Sequence, residues 1–203
     1  MQKYHLYIVL TRTKTVLSRL IQFFTKGTYT HAALSLDREL KQMYSFGRKV
    51  PYNPVIGGFM QERIDRGLYK LQKTLPGIIM EIEVSKEQYD QANRIIDDFI
   101  TSKHLYKYNY RGLIHSLFRQ EVCYDKQFLC SEFVYYVLAE IGAIDLNIPR
   151  NLVRPHNFLD LNCKIIFEGN LKELRILCNK PRATKNNSWQ ILWSELTPLK
   201  ELL

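Results

Sequence analysis

Residues 130–142 read CSEFVYYVLAEIG, and this stretch carries the clearest helix signal in the chain. Its large apolar side chains recur at helical spacing, at Phe133, Val134, Val137, Leu138 and Ile141. Gly142 follows them as a glycine stop. The spacing predicts a helix that begins at Cys130 and turns this residue toward the body of the protein.

Cys130 is a candidate nucleophile because of this position. A thiol at a helix N-terminus lies at the positive end of the helix dipole, beside free N–H groups, and both stabilise a thiolate. The same N–H groups can hold the oxyanion of a tetrahedral intermediate. Glu132, in the first turn, suits the dipole but would oppose a thiolate if its carboxylate came close. The alternative interpretation of Cys130 is a buried structural cysteine, since free cysteines are among the most buried residues.

Strand signals lie on both sides of this helix along the chain. Five stretches rich in β-branched and aromatic residues are predicted to be strands: residues 4–10, 30–37, 41–47, 77–84 and 164–169. The second and third are separated by Arg38, Glu39 and Leu40, and they are predicted to form a hairpin. Further helices are predicted over residues 16–27, 85–99 and 114–118, the middle one opened by a capping box of Ser85 and Gln88.

The segment from Val50 to Gly77 is predicted to be a loop because its periodicity fades. Proline and glycine interrupt it, at Pro51, Pro54, Gly57, Gly58 and Gly67. A loop of this length inside a compact domain is often functional. We therefore expect a lid or a wall of a substrate site here.

The length of 203 residues is enough for one domain with a sizeable core. Residues 1–178 are predicted to form that domain, and residues 179–203 a C-terminal extension. The extension ends in an amphipathic helix marked by Trp189, Leu192, Trp193 and Leu196, for which we favour docking on the domain. No apolar run approaches the roughly 20 residues that span a bilayer. The N-terminal residues also lack the features of a signal peptide, so a cytoplasmic location is expected.

The cysteine pattern bears on metals and on redox state. The four cysteines, Cys123, Cys130, Cys163 and Cys178, form no C-x-x-C pair. This spacing argues against structural zinc and favours free thiols in a reducing compartment. No metal and no other cofactor is predicted.

The formal charge of +9 raises the question of an anionic partner. The basic residues are scattered, with no block of five or six, and no nucleic-acid motif accompanies them, so nucleic acid is not expected to bind. A solvated basic surface is the first interpretation. Peripheral contact with an anionic membrane or a cell-wall polymer is the second.

A nucleophilic thiol needs a base, and the chain offers five histidines: His5, His31, His104, His115 and His156. His31 begins a predicted strand and shares one face of it with the small residues Ala33 and Ser35. Small neighbours leave room for a helix end and a substrate. His31 is therefore the preferred base, and His156 is the second choice.

A third polar group should orient the imidazole, and we expect it on the second strand of the hairpin. A two-residue loop would place Gln42 or Tyr44 on the face of His31, whereas a three-residue loop would place Met43 and Ser45 there. Both registers remain open from the sequence. Asp37 is interpreted as a turn residue.

Three motifs together resemble a known family. THAALSLD (residues 30–37), MYSFG (residues 43–47) and FLCSEFVYYVL (residues 128–138) are similar to the circularly permuted NlpC/P60-type papain-like proteins. That group includes YiiX-like bacterial proteins and, more distantly, the lecithin retinol acyltransferase family. The resemblance covers residues 3–167, and the order of histidine before cysteine marks the permutation.

The resemblance implies an α+β fold with an antiparallel sheet packed against helices, and a triad of cysteine, histidine and a polar residue. In papain-like enzymes the base stands on a central strand and faces the nucleophile helix. Carried over by position, Cys130 corresponds to the nucleophile, His31 to the base and Ser45 to the third member. Serine is a weaker orienting group than a carboxylate.

The expected activity is thiol-dependent hydrolysis of an amide or ester bond through a thioester on Cys130, with a small-molecule, peptide or lipid acyl substrate. A lipid-directed acyltransferase or esterase is one alternative. It is favoured by the basic charge and by two apolar features, the segment around Phe59 and the helix that contains Leu20, Ile21, Phe23 and Phe24. A non-catalytic binding relative is the other, favoured by serine at position 45. The sequence indicates no oligomeric state.

Overall fold

The computed structural model describes residues 3–13, 27–50, 53–118 and 120–178. Two predictions lie outside these residues. They are the apolar helix with Leu20, Ile21, Phe23 and Phe24, and the extension over residues 179–203 with its amphipathic helix.

A six-stranded antiparallel sheet forms the centre of the fold, which is therefore α+β. In spatial order its strands are β4 (Asn53–Glu62), β3 (Met43–Val50), β2 (His31–Ser35), β1 (Tyr4–Thr11), β5 (Pro76–Val84) and β8 (Lys164–Asn170). Two short strands, β6 (Lys107–Tyr108) and β7 (Gln127–Phe128), pair in parallel beside it. The five strands predicted from β-branched and aromatic residues are confirmed as β1, β2, β3, β5 and β8.

Five helices accompany the strands among the described residues: α1 (Gly67–Lys70), α2 (Lys86–Thr101), α3 (Tyr110–Leu117), α4 (Cys130–Glu140) and α5 (Leu171–Cys178). Short 3-10 turns cover Arg150–Leu152 and Pro155–Asp160. Within the parts of the chain that the structure covers, no helix combines the length and the apolar character needed to cross a membrane.

The larger core lies between the sheet and the helices α2 and α4. Alternate residues of the sheet strands are buried there, among them Leu6, Ile8 and Leu10 of β1 and Ala32 and Leu34 of β2. From α4 come four fully buried residues: Phe133, Val134, Val137 and Leu138. The other face of the sheet carries a smaller core in which Ala33 and Met43 meet Tyr69 of α1.

The two main helices begin and end as the sequence predicts. Ser85 accepts a hydrogen bond from the backbone N–H of Gln88, and the side chain of Gln88 accepts one from the N–H of Ser85, which confirms the capping box of α2. The helix α4 begins at Cys130, and Gly142 just beyond it adopts φ +65°, as a glycine stop requires.

The predicted loop between Val50 and Gly77 is wrong, because this segment contains the ten residues of β4 and the short helix α1. Glycine in β4 reflects a close approach, not a break. A Cβ atom on Gly57 would lie 2.8 Å from the Cβ atom of Tyr108, which is too close for any other residue type. Phe59 is buried in the aromatic core, so the segment around it is not a lid.

Candidate active site

The structure brings Cys130 and His31 together from distant parts of the chain. Each is the first residue of its element, Cys130 of α4 and His31 of β2. The two side chains interact, because the sulfur of Cys130 contributes to the raised pKa of the imidazole. The helix packs on the face of β2 that carries Ala32 and Leu34, so His31 reaches the thiol from the end of the strand.

Glu62, the last residue of β4, holds the other side of the imidazole. The Nε2 atom of His31 lies 3.0 Å from Oε1 of Glu62 and 3.2 Å from Oε2. With Nε2 engaged by the carboxylate, Nδ1 is the ring nitrogen that remains for Cys130. The ring is thereby fixed between a thiol and a carboxylate.

Two hydroxyl groups complete the shell around this carboxylate. Ser45 donates to Oε1 of Glu62 at 2.8 Å, and Tyr69 donates to Oε2 at 2.9 Å. Because the Tyr69 proton points at Glu62, Thr11 serves as donor to the Tyr69 oxygen, at 3.3 Å. Glu62, Ser45, Tyr69 and Thr11 are all buried. Buried polar groups that satisfy one another in this way hold a unique geometry.

The pKa values of His31 and Glu62 are shifted in opposite directions by their contact. Burial alone would lower the pKa of His31, but the carboxylate of Glu62 and the sulfur of Cys130 raise it well above 6.5. Burial alone would raise the pKa of Glu62, but His31 and the hydrogen bonds from His31, Ser45 and Tyr69 lower it below 4.5. The protonated form of His31 is therefore stabilised at this position, chiefly by the carboxylate of Glu62.

A second buried carboxylate, Glu132, lies in the first turn of α4. Its Oε2 atom accepts a hydrogen bond from the backbone N–H of Leu129 at 2.6 Å and one from Nδ2 of Asn109 at 3.3 Å. Its Oε1 atom is buried without a hydrogen-bond partner among the described residues. Burial raises the pKa of Glu132 above 4.5, against the opposing effects of Leu129, Asn109 and Arg150. Burial thus makes a negative charge on Glu132 less favourable than on an exposed glutamate.

The first turn of α4 offers hydrogen-bond donors next to the thiol. Leu129, at the N-cap position, has no polar side-chain atom and therefore does not cap this turn. The amides at the start of the helix are not engaged by an N-cap side chain, in contrast to those of α2. Such amides can donate hydrogen bonds to an oxyanion that forms on a carbonyl group next to the thiol.

The register of the hairpin explains where Ser45 lies. Ser35 pairs with Met43 and Leu34 with Tyr44, so odd-numbered residues face odd-numbered residues. This register places Met43 and Ser45, not Gln42 or Tyr44, on the face of His31. The turn is held by Asp37, whose carboxylate accepts from the backbone N–H groups of Lys41 and Gln42, which confirms its role as a turn residue.

The expectation that Ser45 orients the imidazole is corrected by the hydrogen bonds. Ser45 donates to Glu62, and Glu62 is the residue that contacts His31. The hydroxyl is one link further from the ring because the longer glutamate side chain from β4 reaches the imidazole first. Sequence reasoning missed Glu62, since it looked only at the strand next to β2. Glu62 could have been found only if β4 had been predicted as a strand next to β3.

The other candidates lie in different surroundings. His156 is half-buried in a 3-10 turn, where burial and Arg154 lower its pKa. Cys163 is half-buried, and burial raises the pKa of its thiol. Cys123 is exposed. No group of three histidine, cysteine or acidic residues that could hold a metal ion occurs among the described residues.

Comparison of this chain with protein-family models, with curated proteins and with solved structures found no match.

Proposed function

We propose that this chain is a thiol-dependent hydrolase of amide or ester bonds, built on a circularly permuted papain-like domain of the NlpC/P60 type. The observation that carries the proposal is the position of His31, which interacts with Cys130 on one side and with the buried carboxylate of Glu62 on the other. A nucleophile, a base and a group that orients the base are the parts that nucleophilic catalysis needs.

In the acylation step, the sulfur of Cys130 attacks the carbonyl carbon of the substrate while its proton resides on His31. The carbonyl oxygen becomes an oxyanion, to which the first-turn amides of α4 donate hydrogen bonds. His31 then gives the proton to the leaving amine or alcohol, the bond to the leaving group breaks, and a thioester on Cys130 remains.

In the second step, water attacks the thioester carbonyl and loses a proton to His31. The new tetrahedral intermediate collapses, the C–S bond breaks, and the carboxylic acid leaves. The proton on His31 restores the resting Cys130–His31 pair. Glu62 keeps its negative charge throughout and holds the imidazole in the orientation that both transfers require.

Hydrolysis is preferred here over lipid-directed acyl transfer or esterase action. The lipid interpretation depended partly on an accessible apolar segment near Phe59, and Phe59 is buried in the core. The remaining support, the basic charge and the apolar helix with Leu20 and Phe23, comes from the sequence alone. Membrane contact is therefore a secondary candidate, and anionic vesicles would test it.

The proposal is tested by labelling with an acyloxymethyl ketone, an electrophile that reports a nucleophilic thiol held next to a base. The wild type and the control variant Cys163→Ala should label equally. Cys130→Ala should not label, and His31→Ala should label at least about a hundredfold more slowly, since a general base contributes on this scale.

Two results would overturn the proposal. One is equal labelling of the wild type, Cys130→Ala and His31→Ala. The other is a rate of alkylation by iodoacetamide at Cys130 that does not exceed the rate at Cys163, as a non-catalytic binding protein would show.

A further inference from the structure

Arg48, on β3, stands on the same side of the sheet as two tyrosines near the Cys130 site. Arg48 is paired with Gly57 of β4, and cross-strand partners direct their side chains to the same face. A Cβ atom on Gly57 would lie 2.8 Å from Cβ of Tyr108 and 2.9 Å from the hydroxyl oxygen of Tyr110. The face to which Arg48 belongs is therefore the one that Tyr108 and Tyr110 cover.

Tyr108 connects this arginine with the thiol. The pKa of Tyr108 is raised well above 10, by burial first and then by the nearby sulfur of Cys130, while the charge of Arg48 acts in the opposite direction. Arg48 also opposes the rise that burial causes in the pKa of Tyr110. Arg48 and Cys130 are therefore both close enough to Tyr108 to affect the pKa of its hydroxyl group.

Arg48 is half-buried, yet it forms no ion pair with a carboxylate among the described residues. The two buried glutamates are already engaged, Glu62 by His31 and Glu132 by Leu129 and Asn109. A guanidinium presents five N–H donors in a planar fork that matches a carboxylate. A half-buried one without such a partner is suited to bind a carboxylate brought by a ligand.

We propose that Arg48 binds a carboxylate of the substrate, so that the site prefers acyl compounds with a negative charge close to the carbonyl that Cys130 attacks. This inference rests on the proposed function, because it names the substrate class of that same site. It makes Arg48 a specificity-determining residue with no part in the proton transfers.

Two alkylating reagents that differ by one carboxylate test this preference directly. Iodoacetate is anionic and iodoacetamide is neutral, and both alkylate a thiolate with release of iodide. The rate ratio of iodoacetate to iodoacetamide at Cys130 is measured by mass spectrometry of the peptide that contains it. Arg48→Gln should lower the ratio about threefold to tenfold, because a positive charge near the thiol attracts the anionic reagent. Added salt should reduce the difference between the wild type and Arg48→Gln.

The matched controls are Arg94→Gln, which removes an exposed arginine of α2, and Arg48→Lys, which keeps the charge. Arg94→Gln should keep the ratio of the wild type to within about twofold, whereas Arg48→Lys, which keeps the charge but not the planar fork, should lower the ratio less than Arg48→Gln does. A ratio unchanged in Arg48→Gln would overturn the inference. So would an equal fall in Arg48→Lys and Arg48→Gln, because the charge would then not be what matters. Both reagents alkylate the same thiol, so their ratio cancels the intrinsic reactivity of Cys130. Failure of the hydrolase proposal would appear separately, as equal labelling of the wild type, Cys130→Ala and His31→Ala by the acyloxymethyl ketone.

Discussion

Glu62 and Glu132 are both buried glutamates near the Cys130–His31 pair, but their pKa values are shifted in opposite directions. Glu62 meets an imidazolium and two hydroxyl donors, and its pKa is lowered. Glu132 meets one backbone N–H and one amide, has an oxygen without a partner among the described residues, and its pKa is raised. Burial is common to both, so the donors and the neighbouring charge decide whether the pKa of each carboxyl group falls or rises.

The difference separates a charge that acts on the base from a side chain that builds the helix end. Glu132 accepts from the N–H of Leu129 just as Gln88 accepts from the N–H of Ser85 at the start of α2. A neutral amide performs this role in α2, so the charge of Glu132 is not required for it. The charge of Glu62, in contrast, sustains the protonated state of His31.

Among substitutions at the two glutamates and their hydrogen-bond donors, Glu62→Gln is expected to slow labelling most. The substitution keeps the size of the side chain but removes the charge that raises the pKa of His31. Labelling by the acyloxymethyl ketone should slow about a hundredfold to a thousandfold. The alkaline limb of its pH profile should move to lower pH, because burial alone lowers the pKa of His31. An unchanged alkaline limb would break the distinction between the two glutamates.

Glu62→Gln should also change how the unfolding free energy depends on pH. The raised pKa of His31 stabilises the fold fully below pH 6.5, and this contribution is lost as pH rises through the folded pKa. The lowered pKa of Glu62 stabilises the fold above pH 4.5, and this contribution is lost as pH falls through the folded pKa. The difference in unfolding free energy between wild type and Glu62→Gln should therefore be largest at about pH 5–6, as measured by urea denaturation.

At Glu132 the expected effect is on stability. Glu132→Ala leaves the buried N–H of Leu129 and the amide of Asn109 without their acceptor, and it should lower the unfolding free energy by about 2–3 kcal/mol. Glu132→Gln keeps an acceptor and should lower the unfolding free energy by less than about 1 kcal/mol. Its rate of labelling by the acyloxymethyl ketone should stay within about threefold of the wild type. Slowing in Glu132→Gln as large as in Glu62→Gln would show that both charges serve the site.

Tyr69→Phe removes a donor to Glu62 without removing its charge. A hydrogen bond of about 0.5–1.5 kcal/mol corresponds to a loss of about twofold to tenfold in labelling rate. The alkaline limb should shift in the same direction as in Glu62→Gln, but less. A purely structural role for Tyr69 would lower stability and leave the pH profile in place.

Ser45→Ala should have the smallest effect, about twofold to fivefold, because Ser45 is one of two hydroxyl donors to the same carboxylate. The double variant with Tyr69→Phe should lose more than either single variant. If Ser45→Ala were as slow as Glu62→Gln, the serine would be the orienting group that the family resemblance implies, and Glu62 a neighbour.

Much of the fold could be predicted because its signals are local. The apolar spacing of Phe133, Val134 and Val137 predicts α4, and Ser85 with Gln88 predicts the start of α2. The hairpin of β2 and β3 follows from its strand residues, but its register does not. The strands end at Ser35 and resume at Met43, so the connection is longer than the three residues considered, and the contacts of Asp37 hold it.

Glu62 could not be predicted because its strand looks like a loop in the sequence. Pro54, Gly57 and Gly58 are unfavourable in strands, and the glycine at position 57 has a tertiary cause. Tyr108 lies so close to Gly57 that a side chain there would not fit. The contact joins residues about 50 positions apart, which a local pattern does not report.

The arrangement of the sheet has a consequence for the order in which the site is assembled. β1, β2, β3 and β4 are neighbours both in the chain and in the sheet, so Thr11, His31, Ser45 and Glu62 belong to one meander of local contacts. Pairing of these strands closes shorter loops than docking of α4 on β2 does, so we expect the meander to form first. We therefore expect His31 and Glu62 to be in place before α4 docks, and Cys130 to join the proposed catalytic pair last. During refolding, amide protection in this meander should precede the rise of iodoacetamide reactivity at Cys130; the reverse order would show that α4 docks first.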